Sequence, residues 1–200
     1  MDGKVIRRQY FCICAGQQEE MYLQHLSRLL HTDMRRVTFT IKKGLPGYIL
    51  KQRHIQYYKA VLFDHDGDAE EFHKALGICT KAKCAHAYSN RNFDLWLLLH
   101  KRNFSSCVSN NQAYVNEIRD AFGLSNEADI KNKKVLESIF EKITLDDVKD
   151  AIRRAQKILK QKLPGDAKQF GSITCYDNPD FSIHTFIKTV FSECKESYHI

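Results

Sequence analysis

The chain has 200 residues, enough for one large domain with a substantial core, and its hydrophobic fraction of 43% is ordinary for a globular protein. No apolar run approaches the roughly 20 residues that cross a bilayer, and residues 1–8 contain no apolar signal segment, so we expect a cytoplasmic protein without membrane association. The net charge of +7 is compatible with a polyanionic partner but does not require one, because basic residues also cover solvated helix faces.

Strand and helix signals alternate through the first hundred residues. Residues 10–15 form an apolar run that ends at Gly16, residues 18–31 carry apolar side chains at helical spacing, and residues 37–41 alternate as a strand. A short helix over residues 51–58 is expected to lead into a strand that ends at Asp64, followed by a helix at 69–76 and a strand at 84–88. Ser89 or Asn90 is expected to cap the next helix, residues 93–99. This order predicts an α/β fold with a largely parallel sheet flanked by helices.

The second half of the chain is expected to be helical from about residue 110 onward. Apolar stripes at helical spacing occupy residues 136–143, 152–159 and 183–194. Thr144 is a predicted N-cap, because Asp146 and Asp147 suit the positive start of a helix. We therefore divide the chain into a core, residues 1–108, and a helical C-terminal region, residues 109–200, that packs on the core.

Three carboxylates, those of Asp64, Asp66 and Asp68, follow one apolar run within five residues. Alternate residues of an extended strand share a face, so Asp64 and Asp66 are expected to point the same way, and their repulsion favours a cation between them. Oxygen ligands suit Mg²⁺ or Mn²⁺. The alternative is a polar turn, since Asp and Gly both favour turns. An EF-hand loop is excluded, because its twelfth position would be Ala75, which cannot chelate.

The carboxyl ends of the predicted parallel strands are the expected place for a site. Gly16, Asp64 and Ser89 all fall at such ends. The absence of GxxxxGK, GxGxxG, GxSxG and HExxH motifs argues against nucleotide hydrolysis, a dinucleotide cofactor, a serine hydrolase and a zinc protease. Cys79, Cys84 and His86 match no common zinc spacing, and the seven cysteines are expected to be reduced.

Several segments resemble the RloB family, which has a Toprim-type fold. The family pattern is a Cys-Glu-Gly turn, a strand ending in DxD, and a block of SN, two residues, F, an acid and LWLLLH. The matching segments span most of the chain: Cys14-Ala15-Gly16 with Glu20 and Tyr22, then Phe63-Asp64-His65-Asp66, then residues 89–100 (SNRNFDLWLLLH), then residues 151–155 and Asn178-Pro179. The resemblance implies a Toprim-like core with a helical C-terminal extension.

The resemblance also implies a Mg²⁺-dependent nuclease (Mn²⁺ being the alternative ion) that cleaves phosphodiester bonds. Asp64 and Asp66 would hold the ion at a catalytic centre that also includes Glu20 and the position of Ala15. Further carboxylates for a second ion would come from Asp68, Glu19 and Asp94, although Asp94 equally suits the first turn of a helix. Ser89 would position a ligand or cap its helix. His100 is expected either near the site or as a packed or capping histidine.

Ala15 is the main departure from the family pattern, which has a glutamate at this position. A methyl group can neither bind a metal nor transfer a proton. The resemblance therefore implies that this copy is catalytically inactive, either naturally or through a deliberate substitution. The intact flanking motif favours a deliberate substitution.

RloB-like proteins accompany ABC or OLD-like ATPases in bacterial defence against phage, so this chain would be the effector that such a partner restrains or activates. Its substrate would be RNA, including tRNA, or DNA. Cleavage of tRNA would halt translation and suit abortive infection. Two alternatives remain: a nucleic-acid-binding module without catalysis, and a structural subunit of the ATPase complex.

Overall fold

The computed structural model describes residues 5–52, 54–65, 68–90, 93–104, 111–176 and 179–194, with the backbone alone for residues 65, 90 and 111. Its centre is a parallel sheet in the order β2-β1-β3-β4. The strands are β1 (Ile6–Cys14), β2 (Arg35–Lys43), β3 (Tyr58–His65) and β4 (Ala85–Asn90). Helix α1 (Gln17–Leu30) connects β1 to β2, and α2 (Ala69–Ala82) connects β3 to β4. The predicted α/β, Toprim-like fold is confirmed.

Helices dominate the rest of the chain. They are α3 (Asp94–Leu99), α4 (Asn111–Ala121), α5 (Lys133–Glu141), α6 (Leu145–Lys160) and α7 (Ile183–Glu193). The Thr144 side chain caps α6 and, with Asp147, forms a capping box, so the predicted cap is confirmed. No helix in the described ranges is both long and apolar enough to cross a membrane.

The two faces of the sheet pack into different hydrophobic clusters. Tyr10, Cys12 and Cys14 point into a large cluster that also contains apolar residues of α1 and of α3 to α7. Phe11 and Ile13 point to the other face, where α2 and a 3₁₀ helix, Pro46–Lys51, complete a smaller cluster. The large cluster therefore contains side chains from both segments, 1–108 and 109–200. The predicted boundary at residue 108 lies outside the described residues.

The segment before α7 covers the outer edge of β4. The Ser182 amide donates to the Tyr88 carbonyl over 2.9 Å, and the Tyr88 hydroxyl donates to Asp180 Oδ2 over 2.8 Å. Burial raises the pKa of Asp180, while hydrogen bonds from the amides of Tyr176 and Phe181 lower it. The edge strand is thereby protected from pairing with another chain.

Three local predictions are wrong. The short helix expected at residues 51–58 is the 3₁₀ helix Pro46–Lys51, which starts at Pro46 because the fixed φ of proline suits a first helical turn. Ser89 and Asn90 do not cap α3: both belong to β4, where Asp64 pairs with Ser89, and Phe93 is the N-cap.

The third error concerns the C-terminal region, which is not wholly helical. Strands β5 (Lys168–Phe170) and β6 (Ile173–Cys175) form an antiparallel hairpin. Gly171 occupies its turn with φ +59°, a conformation that glycine adopts without strain. Strands of three residues are too short to display alternation in the sequence.

Candidate active site

Three predicted site positions lie at the carboxyl edge of the parallel sheet. Ala15 follows β1 directly, and its amide donates to the Leu62 carbonyl of β3 over 3.1 Å. Asp64 lies near the end of β3, paired with Ser89 of β4. The side chain of Ala15 is exposed, that of Asp64 is half-buried and that of Ser89 is buried.

Strand alternation directs Asp64 and Ser89 to the same face. Ala60 and Leu62 of β3 and Ala87 of β4 belong to the large cluster, so Asp64 and Ser89, two residues further along their strands, share its side of the sheet. This is the face that α1 and α3 cover. Asp66, the other half of the expected DxD pair, lies outside the described residues.

The first turns of α1 and α3 meet on this side of the sheet. Gln18 Nε2 in α1 donates to Asp94 Oδ1 in α3 over 3.0 Å. Lys131 Nζ donates to Gln18 Oε1 over 2.7 Å and to Asp94 Oδ1 over 3.3 Å. Asp94 is only 1% exposed, and Lys131, in the loop before α5, supplies it with a positive charge from the solvent side.

Glu19 is a second buried carboxylate in this cluster. Only 3% of it is exposed, and burial raises its pKa. The backbone amides of Glu19 and Gly16 and the charge of Lys131 lower that pKa, whereas the negative charge of Asp94 raises it. Gly16 permits this placement, because a Cβ atom there would lie 2.7 Å from Glu19 Oε2. The structure thus brings together Glu19, Asp94 and Lys131 beside the strand ends.

Two of the expected metal-binding carboxylates, those of Glu20 and Asp68, make contacts outside the cluster of Glu19, Asp94 and Lys131. Glu20 forms an ion pair of 2.8 Å with Lys43 at the end of β2 and accepts a hydrogen bond from Gln24. Asp68 is exposed and caps α2 by accepting a hydrogen bond from the Glu71 amide over 3.1 Å. Helix α2 packs on the opposite face from Glu19 and Asp94.

His100 is a packed core residue. It is fully buried, with Nδ1 2.8 Å from the Trp96 carbonyl and Nε2 3.3 Å from the Tyr22 hydroxyl. Burial lowers its pKa to about 4, so the ring is neutral at physiological pH. Of its two expected roles, these contacts favour the packed histidine.

The residues described at this edge fit a hard cation in the type of their donors. Asp64, Glu19 and Asp94 provide carboxylate oxygens, which Mg²⁺ and Mn²⁺ prefer. Within the described ranges, however, no group of three or more His, Cys, Asp and Glu residues is close enough to hold a metal ion. A complete ligand set would need Asp66 or a carboxylate at position 15 in addition.

Comparison with known proteins decides the family. The profile of the RloB-like protein family matches residues 10–190. This chain belongs to the RloB-like family. The matched segment begins within β1 and ends within α7, so it contains the whole carboxyl edge described above. No curated protein and no solved structure matches the chain significantly.

Gln18 and Lys131 are the members of this candidate site that sequence reasoning missed. Lys131 belongs to a basic run, residues 131–134, that is typical of a solvated surface. Its approach to Asp94 depends on how the loop before α5 packs against α1, over a separation of 113 residues from Gln18. No local spacing signals such a contact.

Proposed function

We propose that this RloB-like chain is the nuclease effector of a phage-defence system and that its metal-dependent centre lies at the carboxyl edge of the sheet. The observation that carries the proposal is the convergence of Glu19 and Asp94 with Lys131 on the face to which Asp64 and Ser89 point. Buried carboxylates that share one positive charge form a cluster of the kind found at functional sites.

Asp64 and Asp66 would hold Mg²⁺ or Mn²⁺, and Glu19 and Asp94 would supply carboxylates for a second ion. When bound, such an ion neutralises charge on a scissile phosphate and lowers the pKa of a coordinated water. The protein's own contribution is placement: Gln18 and Lys131 fix the Asp94 carboxylate, and Gly16 leaves room for that of Glu19. Ser89 lies beside Asp64 and would orient a ligand there.

Ala15 supports the proposal that this copy is inactive. It is exposed at the same edge, so a glutamate would fit sterically at this position and extend its carboxylate into solvent or towards the site. The site as it stands lacks that carboxylate. A restored glutamate should therefore recover activity without repacking of the core.

The substrate we propose is RNA, with tRNA as a specific candidate and DNA as the alternative. An ABC or OLD-like ATPase of the same defence system would control access to the centre. The net charge of +7 supports a nucleic-acid partner, because positive charge raises the rate of encounter with polyanions.

The experiment that tests this function is cleavage by the Ala15→Glu variant. With Mg²⁺ or Mn²⁺ and the ATPase partner present, it should cut tRNA, other RNA or DNA, and Asp64→Ala together with Asp66→Ala should abolish the cleavage. Asp68→Asn is the matched control: asparagine also caps helices, and α2 lies on the other face, so cleavage should persist. Failure of Ala15→Glu to cut any of these substrates would contradict the nuclease function.

A non-catalytic role is the second candidate, and Ala15 favours it, because this residue provides no carboxylate where the family pattern has a glutamate. Salt-dependent binding of nucleic acid by Ala15→Glu without cleavage would identify a binding module. Stoichiometric assembly with the ATPase and no nucleic-acid binding would identify a structural subunit.

A further inference from the structure

The edge of the sheet opposite the candidate active site carries a pair of cysteines at the junction of α2 and β4. Lys83 ends α2 in the left-handed conformation, with φ 49° and ψ 49°. The Lys83 amide donates to the Thr80 carbonyl and the Cys84 amide to the Cys79 carbonyl, both over 3.1 Å. These two bonds define a Schellman motif, in which the residue after the left-handed position folds back onto the last turn of its helix. Cys84 and Cys79 occupy the two contacting positions.

The two thiols are neighbours with different environments. Cys84 Sγ lies 3.7 Å from the Cys79 carbonyl oxygen and donates a hydrogen bond to it, so the two residues are in direct contact. Cys79 is fully buried in the smaller hydrophobic cluster, whereas Cys84 is only half-buried. The Cys84 thiol is therefore partly accessible to solvent, whereas the Cys79 thiol is not.

Cys84 also lines a pocket of ≈ 400 Å³ between β3, β4 and α7. Lys59 and Lys83 lie on the pocket wall and give it positive charge. The pKa of Cys84 is lowered by hydrogen bonding from Cys79 and by the charge of Lys59, which together outweigh the effect of burial. The pKa of Cys79 is raised by its hydrogen bond with Cys84 and by burial. A thiolate is the nucleophilic form of cysteine, so the accessible member is also the reactive one.

We propose that Cys84 is a peroxide-reactive thiol and that Cys79 resolves its oxidised form into an intramolecular disulfide. The Cys84 thiolate attacks one oxygen of a hydroperoxide, the O–O bond breaks, and the leaving oxygen takes a proton to become water or an alcohol. The Cys79 sulfur then attacks the sulfenic sulfur, an S–S bond forms, the S–O bond breaks, and the departing hydroxide takes the Cys79 proton to leave as water. Two thiols are oxidised and one hydroperoxide is reduced.

The product would link the end of α2 directly to the start of β4. This junction is opposite the candidate active site, and the inference does not depend on nuclease activity. Trypsin separates Cys79, in the peptide 75–81, from Cys84, in the peptide 84–91, so the disulfide is visible as one linked pair of peptides.

The test treats the full-length chain with hydrogen peroxide and maps peptides by mass spectrometry, in a Cys107→Ser background that removes a cysteine outside the described ranges. The linked pair should form, and Cys84→Ser should abolish it. In Cys79→Ser, Cys84 should accumulate as a sulfenic acid. A 1,3-diketone probe should label this sulfenic acid at least about tenfold faster than it labels Cys175, because burial raises the pKa of the Cys175 thiol.

Two further variants separate this chemistry from general oxidation. Cys175→Ser should leave the linked pair unchanged, and Lys59→Gln should slow its formation a few-fold because the thiolate loses a nearby positive charge. Circular dichroism should show every variant folded. Absence of the linked pair in folded protein, or labelling of Cys84 no faster than that of Cys175, would overturn the proposal.

Discussion

At the scale of single residues, the close approach of Glu19 to Gly16 makes a specific stability prediction. Gly16→Ala would bring a Cβ atom to 2.7 Å from Glu19 Oε2, and Glu19 has little room to move because it is 3% exposed. We expect Gly16→Ala to lower the free energy of unfolding by about 1–2 kcal/mol in urea denaturation. In a Glu19→Ala background the same substitution should cost less than about 0.5 kcal/mol. An equal cost in both backgrounds would show that Glu19 does not occupy this position.

His100 makes a prediction about pH. Its pKa is about 4 in the folded chain against an ordinary 6.5, so folding favours the neutral ring. The stability this contributes is complete above the unfolded pKa and is lost as the pH falls through 6.5 towards 4. Between about pH 7.5 and about pH 5, the loss should be about 2 kcal/mol.

His100→Gln should reduce that loss, measured by urea denaturation at the two pH values. Burial also lowers the pKa of His184 to about 4, so the stability of the His100→Gln variant should still depend partly on pH. The control is His31→Gln, at an exposed position, which should keep the full dependence. An unchanged slope in His100→Gln would mean that folding does not lower the pKa of the His100 ring.

Sequence reasoning placed Asp64 and Ser89 correctly at the strand ends, because a strand end is a local feature. It could not identify the contacts of Asp94 with Gln18 and Lys131, because these join α1, α3 and the loop before α5. Nor could it show that Asp68 caps α2, since an aspartate before a helix looks the same whether it caps or chelates.

At the scale of elements, the N-terminus of α6 depends on a capping box. The Thr144 hydroxyl accepts a hydrogen bond from the Asp147 amide, and Asp147 Oδ2 accepts one from the Thr144 amide over 2.8 Å. Thr144→Ala should lower the free energy of unfolding by about 1 kcal/mol, as measured in urea, because the Asp147 amide loses its acceptor and the Asp147 carboxylate loses the hydroxyl donor. Thr144→Ser keeps the hydroxyl and should cost much less. Equal losses in the two variants would assign the effect to the threonine methyl group.

The helices were the most predictable elements, since α1, α5, α6 and α7 each carry a long apolar stripe. The β5–β6 hairpin was missed because strands of three residues contain no readable alternation. The 3₁₀ helix was placed too late in the sequence because proline, and not apolar spacing, determines where it begins.

At the scale of the whole molecule, the segment 180–182 fastens α7 to β4, and Tyr88→Phe tests this attachment. Loss of the hydroxyl leaves buried Asp180 without one of its hydrogen-bond donors, so we expect a cost of about 1–2 kcal/mol in the free energy of unfolding. Hydrogen exchange at the Ser182 amide should accelerate as well, because that amide pairs with Tyr88. Tyr57→Phe, at a ring that is 49% exposed, is the control and should change neither quantity. Unaltered exchange in Tyr88→Phe would show that the hydroxyl does not hold the segment.

The arrangement of the sheet was only partly predictable. Alternating strands and helices imply parallel strands with their carboxyl ends at one edge, and this is how the sequence indicated a shared site. The order β2-β1-β3-β4, which makes Asp64 and Ser89 direct neighbours, depends on long-range pairing that no motif records.

The central claim is that the carboxyl edge of the sheet is a metal centre that a carboxylate at position 15 completes. Mn²⁺ binding measured by calorimetry tests this claim most directly. Ala15→Glu should bind Mn²⁺ about tenfold more tightly than the chain as it stands, because it adds a hard oxygen ligand at this edge. Asp64→Asn in the same background should remove that gain, whereas Asp68→Asn should preserve it. Equal Mn²⁺ affinity with and without the Asp64 carboxylate would contradict the account.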